Sequence, residues 1–139
     1  MELEKQDETD VKERQDSLRK AGTIKLQGKD YLQVAHRVAI MRAEHPDWGI
    51  ETGYISNQFG DETLLAARCA IIDSTGRTLA TATKTVVKGG RGPAAKFPLE
   101  MAETGAIGRA LAACGYGTLS GDLNEGDQIA DAPQKAGSW

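Results

Sequence analysis

The sequence predicts an α+β domain built on the order α-β-β-β-α, with a three-stranded antiparallel meander packed by helices and with flexible termini. Three observations predict it. Apolar residues recur at helical spacing before residue 45 and again after Pro98. Between those two regions lie segments rich in β-branched residues, which favour strands. Short turn sequences join these segments, so neighbouring strands are expected to run antiparallel.

The first helix is predicted over residues 31–45. Asp30 is placed to cap its N-terminus, and Pro46 is expected to end it. One helix face carries apolar residues at helical spacing, namely Tyr31, Val34, Ala35, Val38 and Met41.

Three strands are predicted at residues 49–57, 62–72 and 77–87. The turns between them are expected at 57–61 (NQFGD) and 73–76 (DSTG), both rich in turn-forming residues. Cys69 lies inside the most apolar strand and is expected to be a small core residue. Residues 88–96 (KGGRGPAAK) are expected to form a loop after the third strand.

The second helix is predicted from Pro98 to about Cys114. Gly105 and Gly108 fall in its middle, where each costs about 1 kcal/mol relative to alanine. Such a cost indicates a close approach by another group. Either the helix packs tightly on the sheet, or bare backbone near Arg109 lets a phosphate chain lie against it.

The charge of the chain is unevenly distributed. The 139 residues carry a formal charge of −3, with a pI near 5.4. Residues 1–22 form a charged arm, expected to be solvated or partly helical, and residues 121–139 form an acidic tail, expected to be flexible. The core domain between them, residues 23–120, holds eleven bases and nine acids.

Composition also excludes several classes of protein. No apolar run approaches the ~20 residues of a membrane span, and the N-terminus lacks the apolar region of a secretory signal. Two cysteines are too few for a disulfide scaffold, so a cytoplasmic location is expected. No metal-ligand spacing and no nucleophile motif occurs, so we expect neither a metal site nor catalytic residues.

A stretch of positive charge is the clearest functional signal. No acid occurs between Asp73 and Glu100, whereas five bases do: Arg77, Lys84, Lys88, Arg91 and Lys96. A stretch of one sign is a candidate contact surface for a polyanion. The alternative is a solvated strand edge protected by lysines.

Two segments resemble the Rad-fifty-two superfamily of single-strand annealing proteins, in particular its small phage members. The first is Tyr31-Leu-Gln-Val-Ala-His36-Arg37-Val38, followed by Trp48, which is similar to a Tyr…His-Arg-Val helix with a Gly-Trp after it. The second runs from Glu100 to Gly117 and is similar to the long helix of that superfamily. The resemblance covers roughly residues 24–119.

The resemblance implies a set of nucleic-acid-binding residues. Arg37 matches an arginine that contacts the DNA backbone, and Arg109 matches one in the inner DNA groove. Gly108 and Ala112 stand where further bases are expected, so half of that basic row is missing. We expect Lys84, Lys88, Arg91 and Lys96 to compensate from the third strand and the loop.

The function implied is binding of single-stranded DNA through its phosphates and annealing of complementary strands in recombination and repair, without ATP, metal or another cofactor. The resemblance also implies a homo-oligomeric ring encoded by a phage and acting in the host cytoplasm. The acidic tail is a candidate docking site for a cognate single-strand binding protein. The alternatives are a coating protein that does not anneal and a structural subunit that does not bind DNA.

Overall fold

The computed structural model of the chain describes residues 2–26, 28–89 and 91–117. Its elements are α1 (Glu2–Gly22), β1 (Thr23–Leu26), β2 (Lys29–Leu32), α2 (Val34–Glu44), β3 (Gly49–Phe59), β4 (Glu62–Ile72), β5 (Thr78–Thr85), α3 (Pro93–Lys96) and α4 (Pro98–Ala113). The predicted α+β class is confirmed, since α2, β3–β5 and α4 follow the order α-β-β-β-α.

The three long strands form an antiparallel sheet in the order β3-β4-β5. Tyr54, Ala67 and Lys84 share one row across it, and each strand alternates its side chains between the two faces. The face of this row contacts α4. The β3–β4 hairpin continues beyond the last β4–β5 pair, Ala66 with Thr85, and therefore projects at the end of the sheet where β5 leads towards α4.

The core lies between the helices and one sheet face. Cys69 and Ile71 of β4 are fully buried there, as are Ala106, Ala110 and Leu111 of α4. Alanines bring the backbone of α4 close to the strands, while burial of a side chain such as Ile71 or Leu111 contributes about 1.5–3 kcal/mol. The core position predicted for Cys69 is confirmed.

The prediction that the first helix starts at residue 31, with Asp30 as its cap, is wrong. Tyr31 lies in β2, which pairs with β1 in a hairpin that places Ile24 opposite Tyr31. Asp30 therefore does not cap a helix; its carboxylate lies 2.5 Å from the ammonium of Lys25 on the surface. Gly28 adopts a φ of +79° at the turn, a conformation that favours a hairpin at this point over continued helix. Helix α2 begins only at Val34.

The remaining boundaries differ by a few residues. β4 has the predicted bounds, whereas β3 continues through Phe59, so the turn is confined to residues 60–61. The predicted loop at 88–96 contains the short helix α3. The acidic tail, residues 121–139, lies outside the described residues.

Residues 2–22 form helix α1 and contact the rest of the fold. Helix α1 packs against α2, and the side chain of Leu18 lies against the core cluster. The amide of Gln15 donates a 2.9 Å hydrogen bond to the carboxylate of Glu44. Both the Leu18 contact and this hydrogen bond hold α1 on α2.

Candidate nucleic-acid interface

The six predicted binding residues fall into two groups in the structure. Lys88, Arg91 and Lys96 are exposed in the segment that joins β5 to α4. The other three pack against the body of the fold: Arg37 and Lys84 are buried, with exposed fractions of 0% and 6%, and Arg109 is half-buried. The two groups are therefore suited to different tasks.

Arg37 connects three elements from inside the protein. Its Nε donates a 2.7 Å hydrogen bond to the carbonyl of Leu32 at the end of β2. Its Nη1 donates a 3.2 Å hydrogen bond to the carbonyl of Gly108 in α4, and the guanidinium lies 5.0 Å from the ring centre of Tyr31. A fully buried guanidinium with these partners stabilises the contact between α2, β2 and α4.

Lys84 lies beneath α4. A β-carbon at Gly105 would come within 2.9 Å of its Cγ, so the aliphatic part of the lysine fills the space that glycine leaves. Such a lysine contributes its stem to packing as much as its charge to the surface.

The two glycines of α4 are explained by packing. Lys84 occupies the space beside Gly105, and a β-carbon at Gly108 would lie 2.8 Å from Cγ2 of Val34. Protein side chains thus make the close approach that the sequence indicated at both positions. The sequence left two explanations for these glycines, tight packing of the helix or close approach of a phosphate chain. At Gly105 and Gly108 the structure shows tight packing.

Arg109 lies at the outer edge of the sheet. The backbone N–H of Val86 donates to the carbonyl of Leu65, so the alternation of an antiparallel ladder turns the carbonyl of Thr83 away from β4. Nη1 of Arg109 donates a 3.0 Å hydrogen bond to that carbonyl. The guanidinium therefore covers part of the free edge of β5 while staying partly exposed to solvent.

We call residues 88–96 the basic loop. It carries Lys88, Arg91 and Lys96, all exposed, and no acid is present anywhere in residues 74–99. Gly89 and Gly92 adopt φ values of +70° and +61°, a conformation that a β-carbon disfavours. The loop joins the end of β5 to the start of α4, so its three cations lie near that end of the sheet.

Apolar side chains beside the basic loop are unusually exposed. We call Tyr54, Leu65, Phe97 and Leu99 the apolar patch; their exposed fractions are 44%, 39%, 55% and 39%. The hydroxyl of Tyr54 donates a 3.0 Å hydrogen bond to the carbonyl of Leu99, which joins β3 to the first turn of α4. Ser56 is paired with Leu65 and Ala67 with Tyr54, so Leu65 and Tyr54 are diagonal neighbours on the helix-facing side.

Sequence reasoning did not identify this patch. Leu99 has helical spacing with Ala102 and Ala106, which are buried, but Leu99 itself is 39% exposed in the first turn of α4. One available signal was the position of Phe97 directly after Lys96, inside the stretch without acids.

Negative charge lies on the other side of the patch. The hydroxyl of Thr52 donates a 3.1 Å hydrogen bond to the carboxylate of Glu103. Desolvation, and then the negative charges of Glu103 and Glu100, raise the pKa of Tyr54. The patch thus has carboxylates on its β3 side, and the cations of the basic loop precede it in the chain.

The thiols and carboxylates show no arrangement for nucleophilic or metal chemistry in residues 2–26, 28–89 and 91–117. Burial raises the pKa of Cys69 to about 11 and also raises the pKa of Cys114, so both thiols stay protonated near neutral pH. No group of three His, Cys, Asp or Glu side chains in those ranges could hold a metal ion.

The chain matches one family model, described as Slr1353 N-terminal dsRNA-binding domain-like, over residues 38–114. That range is more than half of the chain and takes in most of α2, the whole β3–β5 sheet, the basic loop and α4. The comparisons with curated proteins and with solved structures gave no match. Among the described residues, no helix is long and apolar enough to cross a membrane.

Proposed function

We propose that this chain, which belongs to the Slr1353 N-terminal dsRNA-binding domain-like family, binds nucleic acid with the cations of its basic loop. The observation that carries the proposal is the loop itself: three exposed bases within nine residues, in a stretch of the chain that lacks acids. The family description supports a nucleic acid as the polyanion.

The binding mode follows from the kind of residues present. Lysine and arginine side chains neutralise phosphates and release condensed counterions, so affinity falls steeply as salt rises. Contacts to phosphate fix the position of the strand without reading its sequence. We assign these contacts to Lys88, Arg91 and Lys96, with Arg109 at the margin of the site.

The two buried cations receive a different role. Arg37 and Lys84 lie within the fold in the single chain, and a phosphate would reach the Arg37 guanidinium only if α2 and α4 separated. We therefore assign both to stability and leave them out of the binding surface, although the resemblance to the annealing superfamily pairs Arg37 with a DNA-contacting arginine.

The preferred substrate in this proposal is single-stranded DNA, with annealing of complementary strands as the activity. Two features support it: the resemblance of the Tyr31–Val38 and Glu100–Gly117 segments to the annealing superfamily, and the phosphate-directed chemistry of the loop, which leaves bases available for pairing. Annealing of this kind draws its driving energy from base pairing. A homo-oligomeric ring in the cytoplasm of a phage host is the assembly in which a few cations per subunit would form a continuous track.

A second candidate is the binding of double-stranded RNA, which the description of the matching family favours. Double-stranded RNA is recognised by its shape and its backbone, with phosphate and 2′-hydroxyl contacts and no unpaired bases. The basic loop could serve either ligand.

The decisive experiment replaces all three loop cations by glutamine in the full chain. The matched control replaces Lys20, Lys29 and Arg77, which are exposed and lie outside the loop, and so removes the same charge. Fluorescence anisotropy is measured with single-stranded DNA, single-stranded RNA, duplex DNA and duplex RNA over a range of salt concentrations. For single strands, the loss of three phosphate contacts is expected to reduce the log–log salt slope by about 2.

The outcomes separate the candidates. Tight binding of single strands that only the loop variant loses supports the proposal, and preference for duplex RNA supports the second candidate. Binding that both triple variants lose equally would mean that overall charge, and not the loop, attracts the ligand. Faster pairing of two complementary labelled strands by the natural protein then distinguishes annealing from coating.

A further inference from the structure

The apolar patch beside the basic loop has no role in binding phosphates. Its members Tyr54, Phe97 and Leu99 expose 39–55% of their surface, which is a high fraction for large apolar side chains. Tyr54 is joined to Leu99 by a hydrogen bond, and Phe97 is two residues before Leu99 in the chain. An apolar area bordered by charge usually marks an interaction surface. Two of its four members are aromatic, and aromatic side chains beside cations are the means by which proteins hold unpaired bases.

We propose that the apolar patch is a stacking platform for unpaired bases, with Phe97 as the side chain on which a base stacks while the basic loop holds the adjoining phosphates. This inference rests on the proposed nucleic-acid binding and names its ligand class as single-stranded. In a duplex the base faces are covered by neighbouring bases, so a platform of this kind gives no affinity for duplex RNA.

Phe97 is well placed for this task. It lies between Lys96, the last cation of the loop, and Pro98, the first residue of α4, with backbone angles of φ −133° and ψ 61° outside the helix. Its carbonyl accepts the backbone N–H of Met101, which fixes the residue at the helix start. The backbone of Phe97 is thus anchored at the start of α4, one residue from Lys96, and its side chain is 55% exposed.

The second aromatic residue is also fixed. The hydroxyl of Tyr54 donates to the carbonyl of Leu99, so the ring is held between β3 and α4 with 44% of the residue exposed. A side chain already held in one orientation loses little conformational freedom on binding. Leu65, which is diagonal to Tyr54 across β3 and β4, and Leu99, whose carbonyl accepts the tyrosine hydroxyl, extend the apolar surface beside the tyrosine ring.

The charges around the patch indicate how a strand would lie. Glu100 and Glu103 act on Tyr54 and would repel phosphates there, while Lys88, Arg91 and Lys96, in the loop that leads to Phe97, would attract them. The backbone of the strand is therefore expected along the loop, with its bases directed across Phe97 towards Tyr54.

The test separates the base contribution from the phosphate contribution by using two ligands with equal charge. One is an oligothymidylate and the other is an abasic oligonucleotide of the same length. Phe97→Ala should weaken oligothymidylate binding roughly 5- to 150-fold, the equivalent of about 1–3 kcal/mol per stacked base, and leave abasic binding and the salt slope unchanged.

Three further variants complete the design. Phe97→Leu keeps an apolar side chain without a π-face and should lose most of the preference for thymidylate, whereas Phe97→Trp should retain it. Phe59→Ala removes the more exposed phenylalanine, 75% exposed at the tip of the β3–β4 hairpin and outside the patch, and should change nothing. Circular dichroism melting of each variant establishes that the fold is retained.

Each result has one meaning. Equal affinity of the natural protein for both ligands, or equal loss with Phe97→Ala and Phe59→Ala, overturns the platform. If the platform fails while the triple loop variant still loses binding, the proposed function stands without it. If neither the loop nor Phe97 affects binding, both proposals fall.

Discussion

The burial of Arg37 leads to a prediction that distinguishes a stabilising role from a binding role. Residue Arg37 is 0% exposed, and its guanidinium donates to the carbonyl of Leu32 and to that of Gly108, which lies 71 residues further along the chain. Arg37→Ala removes both donors and leaves a cavity between α2, β2 and α4. The expected effect is a loss of stability and not a specific loss of affinity.

The magnitude follows from the contacts. A hydrogen bond from a charged donor contributes about 1.5–3 kcal/mol, so the two bonds together contribute about 3–6 kcal/mol. The variant no longer buries a guanidinium, which offsets part of that loss. A net decrease of about 2–4 kcal/mol in the free energy of unfolding is expected, a large share of the ~5–15 kcal/mol that domains usually have. Arg37→Met, which refills the cavity without donors, should lose less.

The assay combines urea unfolding with binding. The midpoint should fall for Arg37→Ala, by about 1–2 M for a typical urea slope, with a smaller shift for Arg37→Met. Anisotropy titration with single-stranded DNA, at urea concentrations where each variant is folded, should give the affinity and salt slope of the natural protein.

An unchanged unfolding midpoint for Arg37→Ala, together with a lower affinity and a smaller salt slope, would refute the stabilising role of Arg37. That result would place the guanidinium at the phosphate backbone, as the resemblance to the annealing superfamily implies, and would require α2 and α4 to open on binding. A fall in both the unfolding midpoint and the affinity would assign a stabilising role and a binding role to Arg37.

Three other predictions concern packing, pH and the tail. Gly108→Ala brings a β-carbon to 2.8 Å from Cγ2 of Val34. It should lower the free energy of unfolding in urea by up to about 2 kcal/mol, because an overpacking cost of ~1–3 kcal/mol exceeds a helix gain of ~1 kcal/mol. Adding Val34→Ala to this variant should relieve most of the overpacking. Hydrogen bonds from the side chain and backbone N–H of Thr75 and the backbone N–H of Arg77 hold the pKa of Asp73 below its ordinary value of 3.8. The stability from Asp73 is therefore present above pH 3.8 and lost as pH falls through the lower folded-state value, so the melting temperatures of Asp73→Ala and the natural protein should differ at pH 7 and converge in acid. Deleting residues 121–139 should leave cooperative melting intact, and a broad transition would show that the tail contributes to the fold.

Local sequence patterns were sufficient to predict the sheet. Strand β4 was predicted with its observed bounds because an apolar run lies between two turn sequences that each contain Asp and Gly. The positive φ values at Gly60 and Gly76 are consistent with that interpretation of the turns. Helix α4 was predicted within one residue because Pro98 and Gly115 mark its ends.

The N-terminal hairpin could not be predicted in the same way. Tyr31 and Val34 have helical spacing, but Tyr31 and Leu32, neighbours in the chain, are both buried in the structure. A two-residue period does not predict burial of adjacent side chains at a strand end, whereas a helical face does include adjacent residues, so the local pattern favours a helix here. Pairing of β1 with β2 determines the conformation there and overrides the local preference.

The sequence also could not predict which cations of the candidate site are exposed. In the sequence, Lys84 and Lys88 belong to one acid-free stretch and have equal standing as binding residues. In the structure, Lys84 fills the space beside Gly105, and Lys88 is exposed three residues beyond the end of the strand. Because a lysine stem is apolar and only its end is charged, a strand position that faces a glycine-bearing helix can accommodate it in the interior. A run of bases therefore predicts a positive field near a surface, whereas the packing of each side chain decides which of them a phosphate can reach.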